Sequence, residues 1–235
     1  MNIVKFGIIG SGAIFNLSHA KALNNIRKAK IVGIYDLNIN RAIECAKKWD
    51  IDFIAHDLDN LLNNKNIDAV IIATPNNTHC EIVIKAANSG KHIFCEKPIS
   101  VNLQEAYKMI DECKKNNVKL QIGFNQRYWK QVEITKNLLK ENFIGKIYSY
   151  RSVYSEKWNV YPATTQYRYD LNQSGGATII DLAIHRIDLM RYLLGEYKSI
   201  VSEIKHSHIP SLVDDNVYIL SNMVSGATGI ISSDR

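Results

Sequence analysis

The chain has 235 residues, 46% of them hydrophobic and 22% charged, with a formal net charge of +6. Those values exclude a disordered or collagen-like chain, and no apolar run approaches the roughly 20 residues that a membrane helix needs. The lysines are dispersed, often beside asparagine as in Lys114-Lys115-Asn116-Asn117. They read as solvated helix ends that attract small anions, not as a nucleic-acid face.

In chain order, Val4–Ile9 is an apolar run that ends at glycine, and residues 13–24 have helical spacing. Residues 31–35 are apolar again and end at Asp36, and Ile39–Trp49 suits a helix. A strand at 69–73, a helix at 78–88, a strand at His92–Cys95, a helix at 103–114 and a strand at 119–123 follow. Strands alternating with helices imply parallel βαβ units in a doubly wound sheet, with ligands at the carboxyl ends of the strands. After Gly123 the pattern changes. A helix at 128–140, long β-type stretches at 146–157, 199–205, 216–223 and 228–232, and one apolar helix at 177–194 read as an α+β domain with a mainly antiparallel, open-faced sheet. The expected division is a Rossmann domain over 1–123 and an α+β domain over 124–235. The last stretch stops beside what would be an open sheet edge, so the second domain is expected to be partial.

The four cysteines, Cys45, Cys80, Cys95 and Cys113, form no CxxC pair, which points to free thiols in a reducing compartment. Residues 1–10 lack a cleavage-site pattern after them, so a cytoplasmic location is the expectation. His206 and His208 share one face of a strand, but no Cys or carboxylate set stands beside them, and no metal site is expected.

Gly10 and Gly12 stand between the first strand and the first helix. Gly10 would allow the tight turn, and Gly12 would let the backbone at Gly12, Ala13 and Ile14 approach a pyrophosphate at the helix N-terminus. Asp36 would accept hydrogen bonds from the adenosine ribose and repel a 2′-phosphate, so NAD is expected rather than NADP. One departure is Phe15, where the dinucleotide fingerprint carries Gly or Ala. Its ring should push the helix outward or turn away.

A second signature is the pair Ala73-Thr74-Pro75-Asn76-Asn77-Thr78-His79 and Gly90-Lys91-His92-Ile93-Phe94-Cys95-Glu96-Lys97-Pro98. Each lies at the end of an expected strand. Gly123-Phe124-Asn125-Gln126-Arg127 and Gly175-Gly176-Ala177-Thr178-Ile179-Ile180-Asp181-Leu182-Ala183-Ile184-His185 follow in order. With these motifs the chain resembles the Gfo/Idh/MocA family of sugar and cyclitol oxidoreductases over essentially its whole length. Members of that family continue further, with more strands in the second domain.

The resemblance implies an NAD(P)-dependent oxidation of a secondary alcohol of a sugar, cyclitol or nucleotide sugar. It implies Lys97, Asp181 and His185 as catalytic residues, and Ala73, Thr74, Pro75, Asn76, His79, Glu96 and Lys97 near the cofactor. Lys97, Asn125, Arg127, Tyr167, Asp181 and His185 would meet the substrate, with Tyr128 and Arg168 as further candidates. It also implies a homo-oligomer through the second sheet, if that sheet is complete. The residues themselves add one independent point. Asp181, His185 and Asp188 are spaced by four and three on one stripe of an apolar helix. Burying that stripe unpaired would cost several kcal/mol, so it should face a polar cavity or be satisfied internally as a structural Asp–His pair. A non-catalytic dinucleotide or sugar sensor on the same fold is the competing reading.

Overall fold

The computed structural model describes residues 3–157, 163–207 and 212–235, with only the backbone described at 163–165. The chain divides into two compact units, Met1–Gly123 and Phe124–Arg235.

The first unit is built on β1 (Val4–Ile9), β2 (Ala29–Tyr35), β3 (Phe53–Ile54), β4 (Ala69–Ile72), β5 (His92–Cys95) and β6 (Leu120–Ile122). They form a six-stranded sheet in the order β3-β2-β1-β4-β5-β6, parallel throughout. The helices are α1 (Ala20–Asn24), α2 (Ile39–Trp49), α3 (Leu58–Leu62), α4 (His79–Asn88) and α5 (Leu103–Lys115). A parallel sheet is covered on both faces, so its strands are mainly apolar, and neighbouring residues serve opposite faces. Ile9, Val70, Ile72 and Ile93 pack with Val83, Ala86 and Met109. Ile8, Ile34 and Ile71 pack on the other side with Ala20, Leu23 and Ala42. The helices start where the sequence supplies caps. The Asn38 carboxamide accepts from the Asn40 and Arg41 amides, and Asn102 accepts from the Glu105 amide at 2.9 Å.

In the first unit two of these elements have no counterpart in the sequence reading. β3 is two residues long and pairs with Gly33 and Ile34 of β2, too short for an alternating pattern to form. α3 is five residues, set by the Asp57 carboxylate accepting from the Asn60 amide. The first helix also differs locally, because Phe15–His19 is a wide π-helical stretch leading into α1.

The second unit carries α6 (Lys130–Lys140), β7 (Ser149–Ser155), α7 (Leu171–Ser174), α8 (Ile184–Leu194), β8 (Tyr197–Lys205), β9 (Asn216–Met223) and β10 (Thr228–Asp234). The sheet order is β7-β10-β9-β8. β9 is antiparallel to both of its neighbours, but β10 and β7 are parallel, so the sheet is mixed. A second π-helical stretch, Ile179–Ala183, runs into α8. Ala183, Ile187 and Met190 of this helix cover one sheet face over Val217, Ile219 and Ile231. On the other face Val153, Val201, Tyr218, Leu220 and Ile230 are exposed. Among the described residues no helix is long and apolar enough to cross a membrane.

Candidate functional site

In the first unit the candidate residues follow the carboxyl ends of β1, β2, β4 and β5, which share one edge of the parallel sheet. Gly10 leaves β1 with φ +94°, and a Cβ there would lie 2.6 Å from the Ala73 carbonyl oxygen. Only glycine tolerates that conformation and that approach. An added Cβ at Gly12 would meet nothing within 4 Å. The backbone is therefore open on the side where a pyrophosphate would approach the first turn of the helix beginning at Ala13 and Ile14. Phe15 does not turn to solvent. Its ring is fully buried among Ile8, Ala20, Leu23 and Ile34, within the wider π-helical turn.

The Asp36 carboxylate closes the turn from the side. Its Oδ2 accepts from the Ser11 amide at 2.8 Å and the Ser11 hydroxyl at 2.7 Å, and its Oδ1 accepts from the Asn38 amide at 2.8 Å. A carboxylate offers about four acceptor directions, so capacity remains on Oδ1 for a ribose hydroxyl. Asn16 was not singled out by sequence, yet it braces the same turn. Its amide donates to the Ser11 carbonyl at 2.8 Å and the Gly12 carbonyl at 3.1 Å, and its Oδ1 accepts from the Trp49 indole at 2.8 Å. No periodicity marks such a residue, because its partners lie on a turn and on a separate helix.

Ala73, Thr74, Pro75 and Asn76 form the turn after β4. The Thr78 hydroxyl donates to the Pro75 carbonyl at 2.7 Å and lies 2.7 Å from the Thr74 hydroxyl. His79 is wholly buried, with Nδ1 2.9 Å from the Pro98 carbonyl and Nε2 3.1 Å from the Thr74 carbonyl. It therefore ties the turn after β4 to the turn after β5. Burial pulls its pKa below the ordinary 6.5, against the opposing effect of the carbonyls.

Glu96 and Lys97 follow β5. Lys97 is half-buried, and its peptide bond to Pro98 is cis. The Glu96 carboxylate is seated on three sides. His19 Nε2 lies 2.7 Å from Oε1, the Lys97 amide donates to Oε2 at 3.2 Å, and a Cβ on Gly123 would come within 3.1 Å of Oε1. His19 is a second residue that sequence reasoning missed. The available signal was the strand alternation that puts Phe94 and Glu96 on one face of β5, since the imidazole packs edge-on against Phe94 at 5.3 Å. The cysteine thiols stay protonated at neutral pH, because burial raises the pKa of Cys45, Cys80, Cys95 and Cys113.

In the second unit the helical stripe of Asp181, His185 and Asp188 is present, and side chains distant in sequence satisfy its carboxylates. Arg127 holds Asp188 with a fork of two bonds, Nε to Oδ2 at 2.8 Å and Nη2 to Oδ1. The guanidinium also lies over the rings of Phe124 and Tyr192, and the bond to Asp188 raises its pKa. Arg127 thereby anchors the helix through Asp188. Asp181 is paired with Arg168 at 3.2 Å and with Arg235. His185 stands edge-on to Phe124 with ring centroids 6.3 Å apart. Tyr167 is half-buried with Arg168 over its ring, while Asn125 and Tyr128 are exposed in the turn before α6.

The helix start is set by Asp214, also unnoticed in the sequence. It is buried and accepts from the Ala177 amide at 2.7 Å and the Ile179 amide at 2.6 Å. His206 Nδ1 lies 2.8 Å from the Val213 carbonyl, and His208 lies outside the described residues. Among the described residues no cluster of three or more His, Cys, Asp or Glu side chains could hold a metal ion.

A parallel sheet of this order, with a glycine turn after β1 and a carboxylate after β2, defines a dinucleotide-binding Rossmann domain. The chain belongs to the Gfo/Idh/MocA oxidoreductase family. The family's model for its NAD-binding Rossmann fold matches residues 4–124, and its C-terminal domain model matches residues 132–235. The chain is 33% identical to the myo-inositol 2-dehydrogenase of Thermotoga maritima over 99% of its own length and 69% of that protein's. It is 31% identical to the levoglucosan dehydrogenase of Pseudarthrobacter phenanthrenivorans, over 86% of its own length and 58% of that protein's. A structure of levoglucosan dehydrogenase in complex with NADH superposes with a TM-score of 0.93 at 29% identity, covering all of this chain and 67% of that one.

Proposed function

We propose that this protein is an NAD-dependent dehydrogenase that oxidises a secondary alcohol of a sugar, a cyclitol or a nucleotide sugar to the ketone. The observation that carries the reading is the strand-end constellation of the first unit. An open backbone at Gly12 and a carboxylate with spare acceptor capacity at Asp36 fit a pyrophosphate and a ribose, and Lys97 stands at the next strand end but one. Asp36 favours NAD, because a 2′-phosphate beside it would meet like charge. The relatives named for inositol and levoglucosan support a polyol or sugar substrate.

NAD would supply the hydride acceptor, and the protein would supply position and proton handling. In this proposal Lys97 hydrogen-bonds the substrate hydroxyl and stabilises the negative charge that develops on its oxygen. His185 takes the hydroxyl proton, a task suited to imidazole near neutral pH. Asp181, fixed by Arg168, sets the helical turn from which His185 projects and orients the substrate beside it. Asn125 and Tyr167 are proposed as further substrate contacts. The exposed apolar face of the second sheet supports pairing between copies of the chain. The commitment of Asp181 to two guanidiniums favours a second reading, a non-catalytic sensor of the same ligands.

NADH absorbance on mixing the protein with NAD and a panel of inositols, anhydrosugars and nucleotide sugars separates the two. The enzyme reading expects turnover with at least one polyol, abolished in Lys97→Ala while NAD still binds. Ligand binding without NADH formation across the panel would leave the sensor.

A further inference from the structure

We propose that His19 is a positioning residue for Lys97, acting through Glu96. The inference rests on the reading of Lys97 as a catalytic group given above.

His19 ends the π-helical stretch that follows the glycine turn, and Lys97 follows β5. They are joined by a short chain of contacts. His19 Nε2 donates to Glu96 Oε1 across 2.7 Å, and the other oxygen of the same carboxylate accepts the Lys97 backbone amide at 3.2 Å. The His19 and Glu96 side chains are 15% and 14% exposed, so neither bond competes with bulk water as a surface pair would. The imidazole cannot slide along the carboxylate, because Phe94 meets it edge-on at an interplanar angle of 72°. The carboxylate rests on Gly123 on the β6 side, so closely that a Cβ there would crowd it at 3.1 Å. A carboxylate held at one oxygen by a side chain presents its other oxygen in a fixed direction. That direction is where the Lys97 amide donates. The lysine backbone is thereby fixed next to the side chain that must meet a substrate oxygen within a few tenths of an ångström. The helix that would receive the dinucleotide phosphates and the loop that carries the lysine are thus one mechanical piece.

The test compares wild type with His19→Leu and His19→Gln in the 235-residue chain. Glutamine can place its amide donor close to where imidazole Nε2 lies. The first readout is amide hydrogen exchange at Lys97, which needs no turnover. His19→Leu should accelerate it about tenfold relative to exchange in the central strand β4, and His19→Gln should restore protection. The second readout is steady-state kinetics. His19→Leu should lower kcat about tenfold or more, with KM for NAD and polyol nearly unchanged, and glutamine should recover most of the loss. Unaltered Lys97 exchange in His19→Leu, or equal acceleration in both variants, would overturn the proposal. A wild-type chain that turns over no polyol would instead count against the dehydrogenase reading, and the exchange result would still decide the role of His19.

Discussion

The two units hold their polar residues in different ways. In the first unit the turns after β1, β2, β4 and β5 are shaped largely by backbone groups, which meet one another or a single side chain. Gly10 closes against Ala73, Ser11 donates to Asp36, and Thr78 returns to Pro75. In the second unit more of the corresponding work falls to charged side chains. Arg127 reaches Asp188, Arg168 reaches Asp181, and Asp214 caps a helix that begins well before it. A site made of turns tolerates changes in neighbouring side chains but not in backbone shape. A site made of long-range ion pairs should show the opposite sensitivity.

Substitutions can break or sharpen that contrast. The largest effect is expected at Lys97. Lys97→Ala should lower turnover by about a thousandfold or more, with NAD affinity kept within a fewfold, measured by NADH formation and cofactor titration. Next comes Arg127→Ala. It leaves the buried Asp188 carboxylate without its fork, and a cost of about 3 kcal/mol in denaturant unfolding is expected. Replacing the pair together, Arg127→Met with Asp188→Leu, should recover much of that loss, which a turn-built site could not do.

Gly10→Ala forces a side chain into positive φ against a backbone carbonyl, at about 2 kcal/mol or more, and should weaken NAD binding with it. Asp214→Ala removes the acceptor of two helix amides and should cost about 2 kcal/mol, visible as a lower denaturant midpoint. The smallest effect concerns pH. Burial depresses the pKa of His79 in the folded protein below the 6.5 of the unfolded chain. The unfolded state therefore binds the proton first, and stability should be full above about 6.5 and fall as the pH drops below it. His79→Gln should flatten that part of the stability–pH curve.

This contrast also explains what could be read in the sequence. β1, β4 and β5 were legible because a strand buried on both faces of a parallel sheet is mainly apolar. The glycine turn and Asp36 were legible because their chemistry fixes their place in the chain. β3 and α3 were not, since two and five residues leave too little pattern. The π-helical stretches were not, because an extra residue per turn leaves composition unchanged. The stripe of Asp181, His185 and Asp188 could be drawn from spacing alone. Its arginine partners could not, because Arg127 stands 61 residues from Asp188 and Arg168 and Arg235 pair with Asp181 from outside the helix. His19 was missed for the same reason, since Glu96 stands 77 residues away from it.

The central claim is that Lys97 and His185 act on one substrate oxygen. A crystal structure with NADH and a bound polyol tests it most directly. The account predicts the Lys97 ammonium and the His185 imidazole both within about 3.2 Å of a single hydroxyl beside the nicotinamide. A polyol seated on the cofactor with those two groups directed to separate surfaces would contradict it.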